Sequence, residues 1–217
     1  MMDTQPDTAL QHAFSLQELD TLALLTSPAS VQAFLDSVPY STEARYRSPR
    51  TVLRDRRAHC FDGALFAAAA LRRLGFPPLI VDMFADNDDE HLIAPFKRDG
   101  RWGAVAKSNF VGLRYRDPVY RSLRELVMSY FELYFNANRE KTLRSYTRPL
   151  DLRAFDRYNW MAADKALERI ADRTDRLQRI PLLTPEIVAA LMPVDERSYQ
   201  AGMLGLDPAG LYRPTQR

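Results

Sequence analysis

Residues 60–74 read CFDGALFAAAALRRL, and this run limits the fold more than any other part of the chain. Small and apolar side chains cover most faces of it at helical spacing, and a helix that is apolar nearly all round must be enclosed by other structure. It predicts a central helix packed against a sheet. Gly75 supplies the C-cap, and Pro77-Pro78 stops the element.

The residues that follow supply the sheet. Leu79 to Phe84 reads as a buried strand, and Ala85 to Glu90 as an acidic loop. His91 to Phe96 reads as a strand in which Pro95 points to an edge or a bulge. Arg98-Asp99-Gly100 is a hairpin turn, and Trp102 to Ala106 is the returning strand. A helix followed by at least three strands, the last two a hairpin, argues an α+β fold with an antiparallel sheet.

The flanks read as helical. Residues 1–14 are expected to be a loose tail. Ser15-Leu16-Gln17-Glu18 is a capping box that opens a helix to about Leu25, and Ser27-Pro28 opens another over Ala29 to Val38. Downstream, Ser122 to Asn136 has helical spacing, and Lys141 to Leu150 reads as a strand ended by Pro149. Tyr158 to Arg179 is expected to be one long charged helix, and Thr184-Pro185 caps a further helix through Leu191. The expected division is a tail (1–14), a core with N-terminal helices (15–155) and a C-terminal helical elaboration (156–217).

Composition narrows the setting. Hydrophobic residues make up 46% of the 217, ordinary for a globular protein, and no apolar run approaches the roughly 20 residues a membrane span needs. One cysteine excludes an internal disulfide, and the polar stretch Met1 to Phe14 has no secretory pattern; both point to the cytoplasm. A net charge of +2 does not by itself imply nucleic acid. Arg45, Arg47, Arg50, Arg54, Arg56 and Arg57 form a basic cluster, read first as a solvated face with local ion pairs to Glu43 and Asp55. The competing reading is an anion or nucleic-acid site.

Cys60 opens the central helix, where backbone N–H groups and the helix dipole favour a thiolate. Arg54, Arg56 and Arg57 precede it, so a lowered thiol pKa is expected. Gly63, one turn in, permits close approach of backbone or substrate. His91, at the head of a strand, is the expected base, preferred to His59, which points to a different face of the helix start. A two-residue turn at Asp99-Gly100 sets His91 opposite Ser108, and a three-residue loop sets it opposite Asn109. Asn109 is the better group to orient His91, because its amide oxygen can accept from an imidazole N–H. The Cys60 N–H is a natural oxyanion donor, and no second donor is evident. A metal site from His59, Cys60, Asp88, Asp89, Glu90 and His91 is not expected: there is no second cysteine, no helical His pair and no calcium-loop spacing.

Residues 59–109 resemble the core of the transglutaminase-like branch of the papain-like superfamily. The series is Cys60, the exit Leu74-Gly75-Phe76-Pro77, His91, the turn at Asp99-Gly100 and Trp102, in that order. The family usually places aspartate after the tryptophan strand, where this chain has Lys107-Ser108-Asn109. The resemblance implies a papain- or transglutaminase-like core and acyl transfer or hydrolysis through a thioester at Cys60, with His91 and Asn109 or Ser108. It implies no cofactor. The expected substrate is a protein or peptide, or a small amide or thioester. A binding module that kept the fold and lost the chemistry is the alternative, beside the anion binder.

Overall fold

The computed structural model describes residues 7–215. Four helices lead in: α1 (Thr8–Ala13), α2 (Leu16–Ala23), α3 (Pro28–Asp36) and α4 (Pro49–Asp55). The central helix α5 (Cys60–Arg73) is followed by β1 (Leu79–Ala85), β2 (His91–Arg98), β3 (Arg101–Val105) and β4 (Arg116–Tyr120). Then come α6 (Leu123–Met128), β5 (Leu143–Thr147), β6 (Leu150–Asp151), α7 (Leu167–Asp175), β7 (Arg179–Pro181), α8 (Pro185–Ala189) and α9 (Glu196–Gly202). The fold is α+β, as expected. The strands lie in the order β4-β3-β2-β1-β5-β7, with β6 also on β1, and every pairing is antiparallel.

Alternation along the strands divides the core between the two faces of the sheet. Ile80, Leu92, Ala94 and Phe96 pack with α5, which is buried continuously from Phe61 to Leu71. Val81, Met83, Ile93 and Ala104 face the other way, onto Leu126, Val127, Tyr130 and Tyr134. The β2–β3 hairpin takes the two-residue turn: Arg98 faces Arg101, and Asp99 and Gly100 have φ of 48° and 76°. Such paired positive φ values match the twist of the flanking strands, and Asp-Gly adopts them readily.

Four expectations need correction. Pro95 marks neither an edge nor a bulge: β2 lies between β1 and β3, and Pro95 pairs in regular register with Ala104. Residues 8–13 of the expected tail form α1, capped by Asp7, with Leu10 and Ala13 buried; residues 1–6 of that expectation lie outside the described residues. The Asp7 carboxylate also pairs with Arg72, which reaches on to Asp156 at 2.7 Å. Tyr158 to Arg179 is not one helix. A 3-10 segment Leu152–Tyr158 ends at Asn159 (φ 53°), and the chain turns to bury Trp160 and Met161 before α7 begins. Burial of two large side chains outweighs the helical charge pattern. In Ser122 to Asn136, α6 stops at Met128, and the aromatic residues beyond it turn inward through a 3-10 turn, Phe131–Leu133. Trp160, Leu167 and Ile170 belong to the core around α5, and β7 extends the sheet, so residues after 155 complete the same core.

Candidate active site

The start of α5 is built by local chemistry. His59 is the N-cap: its Nδ1 accepts from Phe61 N–H at 3.1 Å, while Asp62 accepts from His59 N–H at 3.3 Å. A ring nitrogen that accepts carries no proton, so the other His59 nitrogen holds it and faces Asp62 at 3.4 Å. His59 is thereby committed to the cap. Asp62 is fully buried and also accepts from Arg47 N–H at 2.8 Å. Its carboxylate is balanced by the buried Arg47 guanidinium at 3.5 Å.

Gly63 is the point at which α5 meets the chain leaving β3. A Cβ there would overlap the side chain of Lys107. Lys107 is itself buried, and its Nζ donates to the carbonyls of Leu35, at 2.9 Å, and Val38. Gln32 pairs with both backbone groups of Ala106, at 3.0 Å each. Helix α3 therefore fixes the track of residues 106–109 beneath the Cys60 end of α5.

Cys60 sits between two spaces. One is an open cleft of about 910 Å³, whose walls include Tyr40, Tyr46, Glu90, Glu168 and Tyr212. The other is a small cavity of about 30 Å³ that Cys60 shares with His91, Ser108, Asn109 and Tyr134. His91 is buried at the head of β2, and its Nε2 lies 2.7 Å from the carbonyl oxygen of Leu113. A carbonyl only accepts, so Nε2 carries the proton and Nδ1 keeps its lone pair. Burial holds the imidazole at a pKa of about 4, neutral at pH 7.

The expected orienting residues are occupied elsewhere. Asn109 donates from Nδ2 to the Asp207 carbonyl at 2.9 Å and accepts from the Asp207 N–H at 2.9 Å. Ser108 accepts from Phe110 N–H at 3.0 Å. Both border the small cavity, but the partner of the His91 ring is the Leu113 carbonyl. Nothing in the sequence marks a backbone carbonyl as an orienting group.

The expected low thiol pKa is also corrected. Burial, reinforced by the negative charges of Asp82 and Asp89, pushes Cys60 up to about 12, against the help of the Leu92 and Phe61 N–H groups. The arginines before the helix are turned to other partners. Arg45 pairs with Asp55 at 2.7 Å, Arg47 with Glu43 at 2.6 Å and Arg57 with Glu43 at 3.9 Å. Arg56 lies over the Phe34 ring at 4.4 Å. Asp82 is buried on β1 with one carboxylate oxygen unpartnered, and burial beside Glu90 and Asp175 raises its pKa to about 8.

Tyr40 is the site residue that the sequence did not disclose. It borders both spaces, and the Cys60 N–H lies against its phenolic oxygen. Burial, with Cys60 and Asp89 beside it, raises its pKa and keeps the hydroxyl protonated. A bridge between Tyr40 and Ala58 brings its backbone alongside the approach to α5.

The acidic loop is tied down from several sides. Thr142 donates to Asp88 at 2.7 Å, Tyr134 to the Asp89 carbonyl at 2.6 Å, and Asn136 to the Asn87 carbonyl at 3.1 Å. Among the described residues no group of three His, Cys, Asp or Glu side chains is arranged to hold a metal ion. No helix among them is long and apolar enough to cross a membrane.

A search of curated proteins finds no match to this chain. Residues 26–107 match the family model described as the transglutaminase-like superfamily, a span from the end of α2 through α5 and the β2–β3 hairpin. Over those residues the chain is similar to the transglutaminase-like superfamily, and Cys60 at the head of the central helix and His91 at the head of β2 both lie within the matched span.

Proposed function

We propose that this protein is a cysteine-dependent acyl-transfer enzyme. The observation that carries the reading is the His91 ring: Leu113 fixes Nε2–H, so Nδ1 keeps its lone pair as a base, and the residue borders the cavity that Cys60 also borders. Nδ1 takes the Cys60 proton as sulfur attacks the carbonyl carbon of an amide or thioester. The tetrahedral oxyanion takes the place of the Tyr40 oxygen as acceptor of the Cys60 N–H, and the Tyr40 hydroxyl turns to donate to it. As the C–N or C–S bond breaks, imidazolium returns the proton to the leaving amine or thiol. Water or an amine then attacks the thioester, with Nδ1 again taking the proton, and restores the thiol.

A second reading has specific support. A thiol near 12 beside an imidazole near 4 is a neutral pair, as a binding module without chemistry would have. Mass spectrometry after reaction with an activated thioester decides between them. The enzyme reading expects one acyl group on Cys60, none in Cys60→Ala and slowed acylation in His91→Ala. Equal acylation rates with and without His91, or none at all, would leave the binding module.

A further inference from the structure

The segment after α9 lies across the mouth of the site. Its docking begins at α9, where Gly202 has no Cβ and so fits against the Phe135 ring, and the Tyr199 ring lies tilted against the same ring with centroids 5.6 Å apart. Asn109 then holds both backbone groups of Asp207, its N–H and its carbonyl, which belong to two successive peptide units. A 3-10 turn follows at Pro208–Gly210, stabilised by Asp207 accepting from Ala209 N–H at 3.0 Å. Gly210 reaches the small cavity of Cys60 and His91, while Ala209, Leu211 and Tyr212 form a wall of the open cleft. At the far end, Asn87 repeats the arrangement on Thr215: Nδ2 donates to its carbonyl at 3.0 Å, and Oδ1 accepts its N–H at 2.9 Å.

Two asparagines thus bind backbone at both ends of one segment through the donor–acceptor pair that a strand edge offers. Such contacts read peptide backbone and ignore side-chain identity. The middle is selective by size. A Cβ on Gly210 would sit 3.0 Å from Asn109 Nδ2 and 3.0 Å from Tyr40 Cε1, tighter than ordinary packing tolerates.

We infer that residues 207–215 occupy in cis the peptide-binding track of the Cys60 site, and that the substrate is a peptide segment presenting glycine beside Asn109 and Tyr40. The assignment of a peptide substrate rests on the acyl-transfer reading. The occupancy of the track stands apart from it. The segment leaves before substrate enters, and Asn109 then binds the N–H and carbonyl of one residue of the incoming chain.

The test uses the full chain in two variants that loosen the segment without touching Cys60 or His91. Gly210→Val introduces the clash with Tyr40 and Asn109, and Thr215→Pro removes the N–H that Asn87 accepts. The readouts are the rate of iodoacetamide alkylation of Cys60, which needs no deconvolution in a single-cysteine chain, and amide hydrogen exchange at residues 209–211. Release should speed both, alkylation by about tenfold or more as the thiol is rehydrated. A synthetic peptide of residues 206–215, LDPAGLYRPT, should slow alkylation again in Gly210→Val, and the same peptide with valine in place of its glycine should not. Unchanged alkylation despite faster exchange would overturn the inference, and so would slow exchange retained in both variants or indifference to the peptide. Failure of acylation in the released variants, with the peptide still protecting Cys60, would instead remove the enzyme reading and leave a peptide-binding module.

Discussion

The imidazole of His91 is held by the backbone carbonyl of Leu113, 2.7 Å from Nε2. A residue that holds a ring by a main-chain atom cannot be replaced by mutation at one side chain, and it leaves the tautomer fixed. Burial then sets the charge state: the ring stays neutral down to about pH 4, whereas the unfolded ring protonates near 6.5.

That difference has a sign. Between pH 6.5 and 4 the unfolded chain binds more protons at this position than the folded one, so stability is lost as the pH falls through that window. Urea denaturation at pH 7 and at pH 4.5 should show wild type losing about 2–3 kcal/mol more than His91→Gln. Equal losses in the two proteins would mean that the ring titrates normally when folded.

Tyr40→Phe removes one hydroxyl beside the Cys60 N–H and keeps the ring that borders both cavities. If that hydroxyl stabilises the oxyanion, the rate of Cys60 acylation should fall by about 10²–10³-fold with the substrate concentration dependence little changed. A fall confined to apparent affinity would assign Tyr40 to substrate binding instead.

Gly63→Ala should be severe for a single methyl. Its Cβ meets Lys107, which is held from the other side by the Leu35 and Val38 carbonyls and has no room to retreat. Overpacking of this kind costs about 1–3 kcal/mol. Thermal unfolding should report it, together with altered Cys60 alkylation, because the clash lies one turn from the thiol. A variant as stable as wild type would show that the contact yields easily.

Arg47→Met leaves Asp62 buried without its cation. Stranding one member of a buried ion pair costs about 3–5 kcal/mol. Adding Asp62→Asn should recover part of the loss, since it removes the stranded charge while its amide oxygen can still accept from the backbone N–H of residue 47. Additive losses in the double variant would deny the coupling.

What was legible in the sequence was local. The capping box at Ser15 and Glu18 forms as written, with Ser15 N–H donating to Glu18 at 2.7 Å. Asp99-Gly100 chose its own turn and so the register that runs back toward His91. The apolar run after Cys60 required a central helix, and the alternation in β1 and β2 required a sheet with two covered faces. These signals act between neighbours or repeat with a fixed period, so a linear reading captures them.

The tertiary structure decided everything that depends on which distant groups share a buried space. It gave the His91 ring to a carbonyl 22 residues away and gave Asn109 to Asp207, 98 residues away. It buried the thiol, turned the arginines toward Glu43 and Asp55 and set Asp82 and Asp89 nearby instead, reversing the expected direction of the thiol pKa. It broke the charged run after Tyr158 so that Trp160 could be buried. Desolvation and long-range charge depend on three-dimensional neighbours, and a sequence lists only the candidates for that role.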